Sequence, residues 1–154
     1  MALEDDLRNL SRVPFFAALE PDARRLVAFS AETRILRAGD VLFRRGEPSD
    51  CAYVLMQGRL VLDAQDNGGV DVEVSTPYSL LGELALISET PRPATAIASQ
   101  PTTVLKIPRR LFHRVLNEYP SSAQALRQMI GTRLSDFMQH VDKIRESWET
   151  QLPQ

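Results

Sequence analysis

From Thr33 onward the chain is cut into short apolar runs by turn-forming residues, and this rhythm restricts the fold more than any other feature. Thr33-Arg34-Ile35-Leu36 gives way to Gly39-Asp40, Val41-Leu42-Phe43 to Gly46-Glu47-Pro48, and Ala52-Tyr53-Val54-Leu55-Met56 to Gly58. Runs this short cannot sustain helices, whereas β-branched and aromatic residues bounded by glycine and proline suit hairpin strands. Arg59 to Asp63 and Val70 to Val74 extend the pattern around the loop Gln65-Asp66-Asn67-Gly68-Gly69, the second with clean apolar–acidic alternation. Ala94 to Ala98 and Thr103 to Ile107, split by Pro101, complete it. About eight short strands predict a closed, jelly-roll-like β-roll.

Helical spacing flanks the roll on both sides. Leu3, Leu7 and Leu10 form one edge of a short helix that Pro14 ends, and Pro21 starts a second whose Leu26, Val27 and Phe29 are expected to pack inward. Phe15 and Phe16 are expected to pin these helices to the core. After Pro108, Arg109 to Asn117 places Leu111, Phe112, Val115 and Leu116 on one side, with His113 outside that stripe. Ser121-Ser122 can cap a final helix running towards Gln151, about 45 Å at ~1.5 Å per residue. Along it Leu126, Ile130, Leu134, Phe137, Val141, Ile144 and Trp148 recur at spacings of four and three, with Met129 and Met138 beside them. Such a near-heptad seam implies a partner helix and a homodimer, or in its first half packing on the roll itself. The expectation is an α+β chain with one domain over 1–154: N-terminal helices at 1–30, the β-roll at 31–108 and C-terminal helices at 109–151.

Composition excludes several functions. A hydrophobic fraction of 44% with 25% charged residues is that of a globular protein, and a net charge of −2 supplies no basic field for DNA. Cys51 is the sole cysteine, so no intrachain disulfide can form, and its apolar setting predicts burial. The acidic start Met1-Ala2-Leu3-Glu4-Asp5-Asp6 is unlike a signal peptide, and no apolar run reaches the ~18 residues of a membrane span; a cytoplasmic protein is expected. His113 and His140 stand apart from any thiol–carboxylate cluster, so neither a metal site nor catalysis is expected of them. No phosphate loop of the Gly-x-x-x-x-Gly-Lys type and no serine–histidine–acid set is present, and the chain is read as not an enzyme.

One stretch carries chemistry: Leu81-Gly82-Glu83-Leu84-Ala85-Leu86-Ile87-Ser88-Glu89-Thr90-Pro91-Arg92-Pro93-Ala94-Thr95. Gly82 permits a sharp turn, after which the N–H groups near Glu83, Leu84 and Ala85 would lack intrahelical acceptors and attract phosphate. Arg92 lies between two prolines that restrict its main chain, as suits an anion clamp. From residue type alone, an arginine solvated in a Pro-rich loop is the commoner case, and one glycine is no phosphate loop.

The order Gly-Glu-Leu-Ala-Leu-Ile, a short polar link, then Pro-Arg-x-Ala-Thr resembles the phosphate-binding cassette of cyclic-nucleotide-binding domains, here at 81–95. The landmarks Gly39-Asp40, Gly46 and Tyr53 to Gly58 extend the resemblance over about Phe15 to Tyr119. It implies that the helix amides and Arg92 hold the cyclic phosphate, that Glu83 accepts from the ribose 2′-hydroxyl, and that Gly82, Leu84, Ala85, Pro93, Ala94 and Thr95 complete the ligand site. Leu81 replaces a frequent aromatic, and Pro93 stands where a small residue is usual. With no hydroxyl after the arginine, the resemblance implies cyclic AMP rather than cyclic GMP. Gap-free matching to transcription-regulator relatives places Phe137 and Met138 at the adenine, Phe137 then being lid, seam, or both. The implied function is a regulatory sensor signalling through the C-terminal helix to an effector the sequence does not name. The alternative is a ligand-free roll serving as a docking or dimerisation module.

Overall fold

Strand β3 (Cys51–Gln57) reads as an unbroken apolar run because both of its faces are buried. The computed structural model, which describes residues 8, 10–65 and 72–131, shows Ala52 and Val54 facing a helical layer while Cys51, Tyr53 and Leu55 face a second sheet. The other strands are β1 (Glu32–Leu36), β2 (Val41–Phe43), β4 (Leu60–Asp63), β5 (Val72–Val74), β6 (Leu80–Leu81), β7 (Thr95–Ala98) and β8 (Thr102–Pro108). They form two antiparallel four-stranded sheets, ordered β1-β8-β3-β6 and β2-β7-β4-β5. β8 is central in the first sheet, with Val54 opposite Leu105 and Arg34 opposite Val104. This is the expected β-roll.

The helices are α1 (Pro14–Ala17), α2 (Pro21–Ser30), α3 (Arg109–Glu118) and α4 (120–131). Phe15, Phe16 and Phe112 are fully buried against one another, with Phe15 and Phe112 centroids 5.5 Å apart, so the two phenylalanines do join the helices to the core. At ~0.5–1.5 kcal/mol beyond area burial, each aromatic contact adds to a cluster that also takes in Val27, Val115 and Leu126. A second cluster lies between the sheets and includes Phe43, Tyr53, Leu60, Ala96 and Val104.

Several expectations are corrected. Phe29 is 75% exposed, because α2 directs Ala23, Val27 and Ala28 inward and its last turn runs past the core. Ser121 and Ser122 do not cap the final helix: it starts at Pro120, a favoured first position, and Ala123 N donates to Tyr119 O. The serines instead reach α2, where Glu20 N donates to Ser122 Oγ at 2.7 Å and Ser121 Oγ donates to Glu20 Oε1. Of the two expectations for the first half of the final helix, a dimer seam or packing on the molecule itself, Ile130 shows the second, lying with Met129 against the helical core. Leu134, Phe137, Met138, Val141, Ile144 and Trp148, and the first helix before Arg8, lie outside the described residues.

Candidate functional site

Gly82 makes the turn from which the site is built. Its φ of 77° and ψ of 39° lie in the left-handed region, which costs an L-residue roughly 1–2 kcal/mol, and a Cβ there would sit 2.5 Å from Arg92 Nη1. The four residues that follow, Glu83–Leu86, form a 3₁₀ turn rather than an α-helix. Tight winding spends one of the three expected phosphate donors: Ala85 N donates to Gly82 O at 3.0 Å, and Ala85 is buried.

Arg92 is held by a clip between two distant loops. Arg92 N donates to Glu47 O and Gly46 N to Arg92 O, each at 2.8 Å, while Pro48 and Pro91 form an isolated bridge. Ser49, also buried, donates its N–H to Thr90 O at 3.1 Å and accepts from Thr90 N on Oγ at 3.2 Å. Arg109, at the start of α3, donates N–H to Asp50 O at 2.7 Å, and its Nη1 reaches Ser49 O at 2.9 Å and Ala85 O at 3.1 Å. The turn, the clip and α3 thus share one set of bonds.

Within this frame the Arg92 side chain is only 6% exposed, so what surrounds its charge decides what the site can do. Nη2 donates to Cys51 O at 2.7 Å and approaches Cys51 Sγ at 3.5 Å. The guanidinium carbon lies 4.5 Å from the Phe43 ring centroid and 5.7 Å from that of Tyr53. No carboxylate among the described residues lies within ion-pair distance of it. Burial pushes the Cys51 thiol up despite the hydrogen bond from Tyr53 and the nearby Arg92 charge, and burial likewise raises Tyr53, reinforced by its bond to Cys51. Both remain neutral at ordinary pH. The cation is therefore held by neutral groups.

A cavity of about 430 Å³ opens over it, within the usual range for small-molecule sites. It brings together Gly82, Arg92, Pro93 and Ala94 with an apolar wall from Phe43, Leu62 and Val74, and a polar one from Ser75, Thr76 and Ser79. The remaining expected site residues lie elsewhere. Glu83 lines an adjoining recess of about 540 Å³ that shares Thr76, Ser79 and Leu80 with the first. Leu84 is 63% exposed, and Thr95 is buried with its Oγ1 accepting from Arg45 N at 3.0 Å. Phe137 lies outside the described residues. A larger recess of about 750 Å³ on α3 mixes Arg109, Arg110 and Arg114 with the carboxylates of Asp50 and Glu118; its Arg109 serves two carbonyls, and Arg114 pairs with Glu118 at 3.3 Å. The roles of Phe43, Ser49 and Arg109 carry no local sequence signal, since each depends on which loops meet. Among the described residues, no group of acidic, histidine or cysteine side chains could hold a metal, and no helix is long and apolar enough to cross a membrane.

The model of one known family, described as the cyclic nucleotide-binding domain, matches residues 33–119, more than half of the chain. The chain belongs to the cyclic nucleotide-binding domain family. This domain is similar to a cyclic nucleotide-binding-like protein from Brucella abortus, at 41% identity and a TM-score of 0.67, over 73% of this chain and 98% of that one. It also resembles the N-terminal domain of a transcriptional regulator from Streptomyces coelicolor, with 31% identity and a TM-score of 0.78, over 86% and 94% of the two chains. A Neurospora crassa protein named lysophospholipase nte1 is 31% identical over 114 residues. Those cover 73% of this chain but 8% of that protein, so the likeness concerns one part of a much longer relative.

Proposed function

We propose that this chain binds a cyclic nucleoside monophosphate over Arg92, prefers cyclic AMP to cyclic GMP, and passes occupancy through its C-terminal helix to an effector protein in the cytoplasm. The observation that carries this reading is the buried, carboxylate-free guanidinium on the wall of a small-molecule cavity beside Gly82. A phosphate there gains a charge-assisted, partly desolvated hydrogen bond. Glu83, next to the turn, accepts from the ribose 2′-hydroxyl, and Leu62 and Val74 supply an apolar surface for the base. Binding is itself the output, and no bond-breaking step is assigned. Pro93, exposed at the rim, offers neither hydroxyl nor N–H to a guanine amino group. Calorimetric titration with both nucleotides tests this. Cyclic AMP should bind more tightly; a preference for cyclic GMP above tenfold, ~1.4 kcal/mol, overturns the base assignment.

A second reading, the ligand-free docking module, is favoured by two observations: Arg92 Nη2 already has a protein acceptor, and Pro93 removes a phosphate donor from the cassette. Binding of neither nucleotide in the same titration selects it.

A further inference from the structure

We infer that Phe43 and Tyr53 are positioning residues, forming an aromatic platform that holds the Arg92 cation in place without neutralising it. A buried guanidinium is costly unless something replaces its hydration, and the common solution is a carboxylate partner. Such a partner would satisfy the guanidinium but also cancel its charge, leaving a weak attraction for an anion. Here the two aromatic faces, at 4.5 and 5.7 Å, and one backbone carbonyl at 2.7 Å take that place. All three are neutral groups presenting negative density. The weak hydration and planarity of arginine allow it to lie on rings in this way more readily than a lysine.

The platform is itself fixed. The Phe43 and Tyr53 rings stack with centroids 6.0 Å apart, in the core between the sheets, and come from β2 in one sheet and β3 in the other. Phe43 also lines the cavity, whereas Tyr53 is buried in the core behind it. The guanidinium thus rests on the two rings with Nη1 beside Gly82, and both Arg92 and Gly82 line the cavity. The ligand part of this inference rests on the cyclic-nucleotide reading; the platform itself does not.

Replacing Phe43 with a series of progressively fluorinated phenylalanines keeps the ring's shape while draining its negative face. Cyclic AMP affinity should fall stepwise along the series, to roughly one tenth of the parent's at full fluorination. In an Arg92→Ala background the series should be flat, because the ring then has no cation to hold. Loss that is equal in both backgrounds would show that Phe43 touches the ligand directly and would overturn the inference. So would an affinity unchanged by fluorination in the parent. A ligand-independent measurement separates the two readings: in the nucleotide-free protein, ¹⁵N spectra of the Arg92 side chain should show slowed guanidinium rotation and ring-shifted Nη resonances, both fading with fluorination. A freely rotating guanidinium overturns the platform even if cyclic AMP binds. An immobile, ring-shifted one in a protein that binds no cyclic nucleotide upholds the platform and overturns the ligand reading.

Discussion

At the scale of single residues, Gly82 and Arg92 are one device, because the space a side chain would need at 82 is occupied by the guanidinium of 92. Gly82→Ala should cost about 1–2 kcal/mol of stability through left-handed strain. It should also displace Nη1 and weaken nucleotide binding. Arg92→Ala should lower affinity by about 2–4 kcal/mol, the scale of a lost charge-assisted pair, with the fold retained. Titration beside thermal melting checks both; an arginine variant that binds as tightly as the parent would refute the site. The neighbouring thiol and phenol predict a pH effect. Both are pushed up by burial from ordinary values of 9.0 and 10.0, so the folded state keeps protons that the unfolded chain gives up. Their stabilising contribution is intact below about pH 9 and is lost as pH climbs beyond it. The melting temperature should fall between about pH 9 and 11, and fall less in a Cys51→Ala, Tyr53→Phe double variant.

Among elements, legibility followed the strength of local patterning. Seven strand segments and the helices starting at Pro21 and Arg109 were readable because glycine, proline and apolar periodicity mark them. β6 was not, since two leucines, Leu80 and Leu81, become a strand only by pairing with Val54 and Tyr53. The cassette turn was legible from Gly82, but its 3₁₀ winding and the bond that removes the Ala85 donor were not, because local propensity does not distinguish one tight turn from another. Arg92 was legible as a cation and illegible as a buried one; its surroundings come from three separate strands and loops. The serines at 121–122 were correctly polar at a helix start, yet their partner is a different helix more than a hundred residues back. That link is testable. Ser122→Ala removes the acceptor of Glu20 N, at the entry of α2, and should destabilise by about 1–2 kcal/mol, whereas Ser121→Ala on the exposed side should stay within about 0.5 kcal/mol. Chemical denaturation of the two variants, with equal losses, would show that the buried bond has no special weight.

For the whole molecule, the proposed relay depends on the residues that follow 131, which the sequence pattern predicts to continue the helix. The described part of α4 rests on the helical core through Leu126, Met129 and Ile130. We predict a parallel dimer through Leu134, Phe137, Val141 and Ile144, with Phe137 also covering the base. Phe137→Ala distinguishes the roles by light scattering and titration together: lost affinity with the dimer intact marks a lid, a lost dimer with affinity intact marks a seam, and no change in either refutes both. If the two roles coexist, ligand and dimer affinities must be coupled reciprocally. The position of β8 has a consequence in time. It lies between β1 and β3, although every other strand precedes it in the chain. During synthesis, which proceeds N-terminus first at roughly 5–20 residues per second, β1 and β3 have no common neighbour until residues 102–108 have emerged. The cassette, which ends at Thr95, then waits roughly one to three seconds at that rate before the strand that joins β1 to β3 is complete.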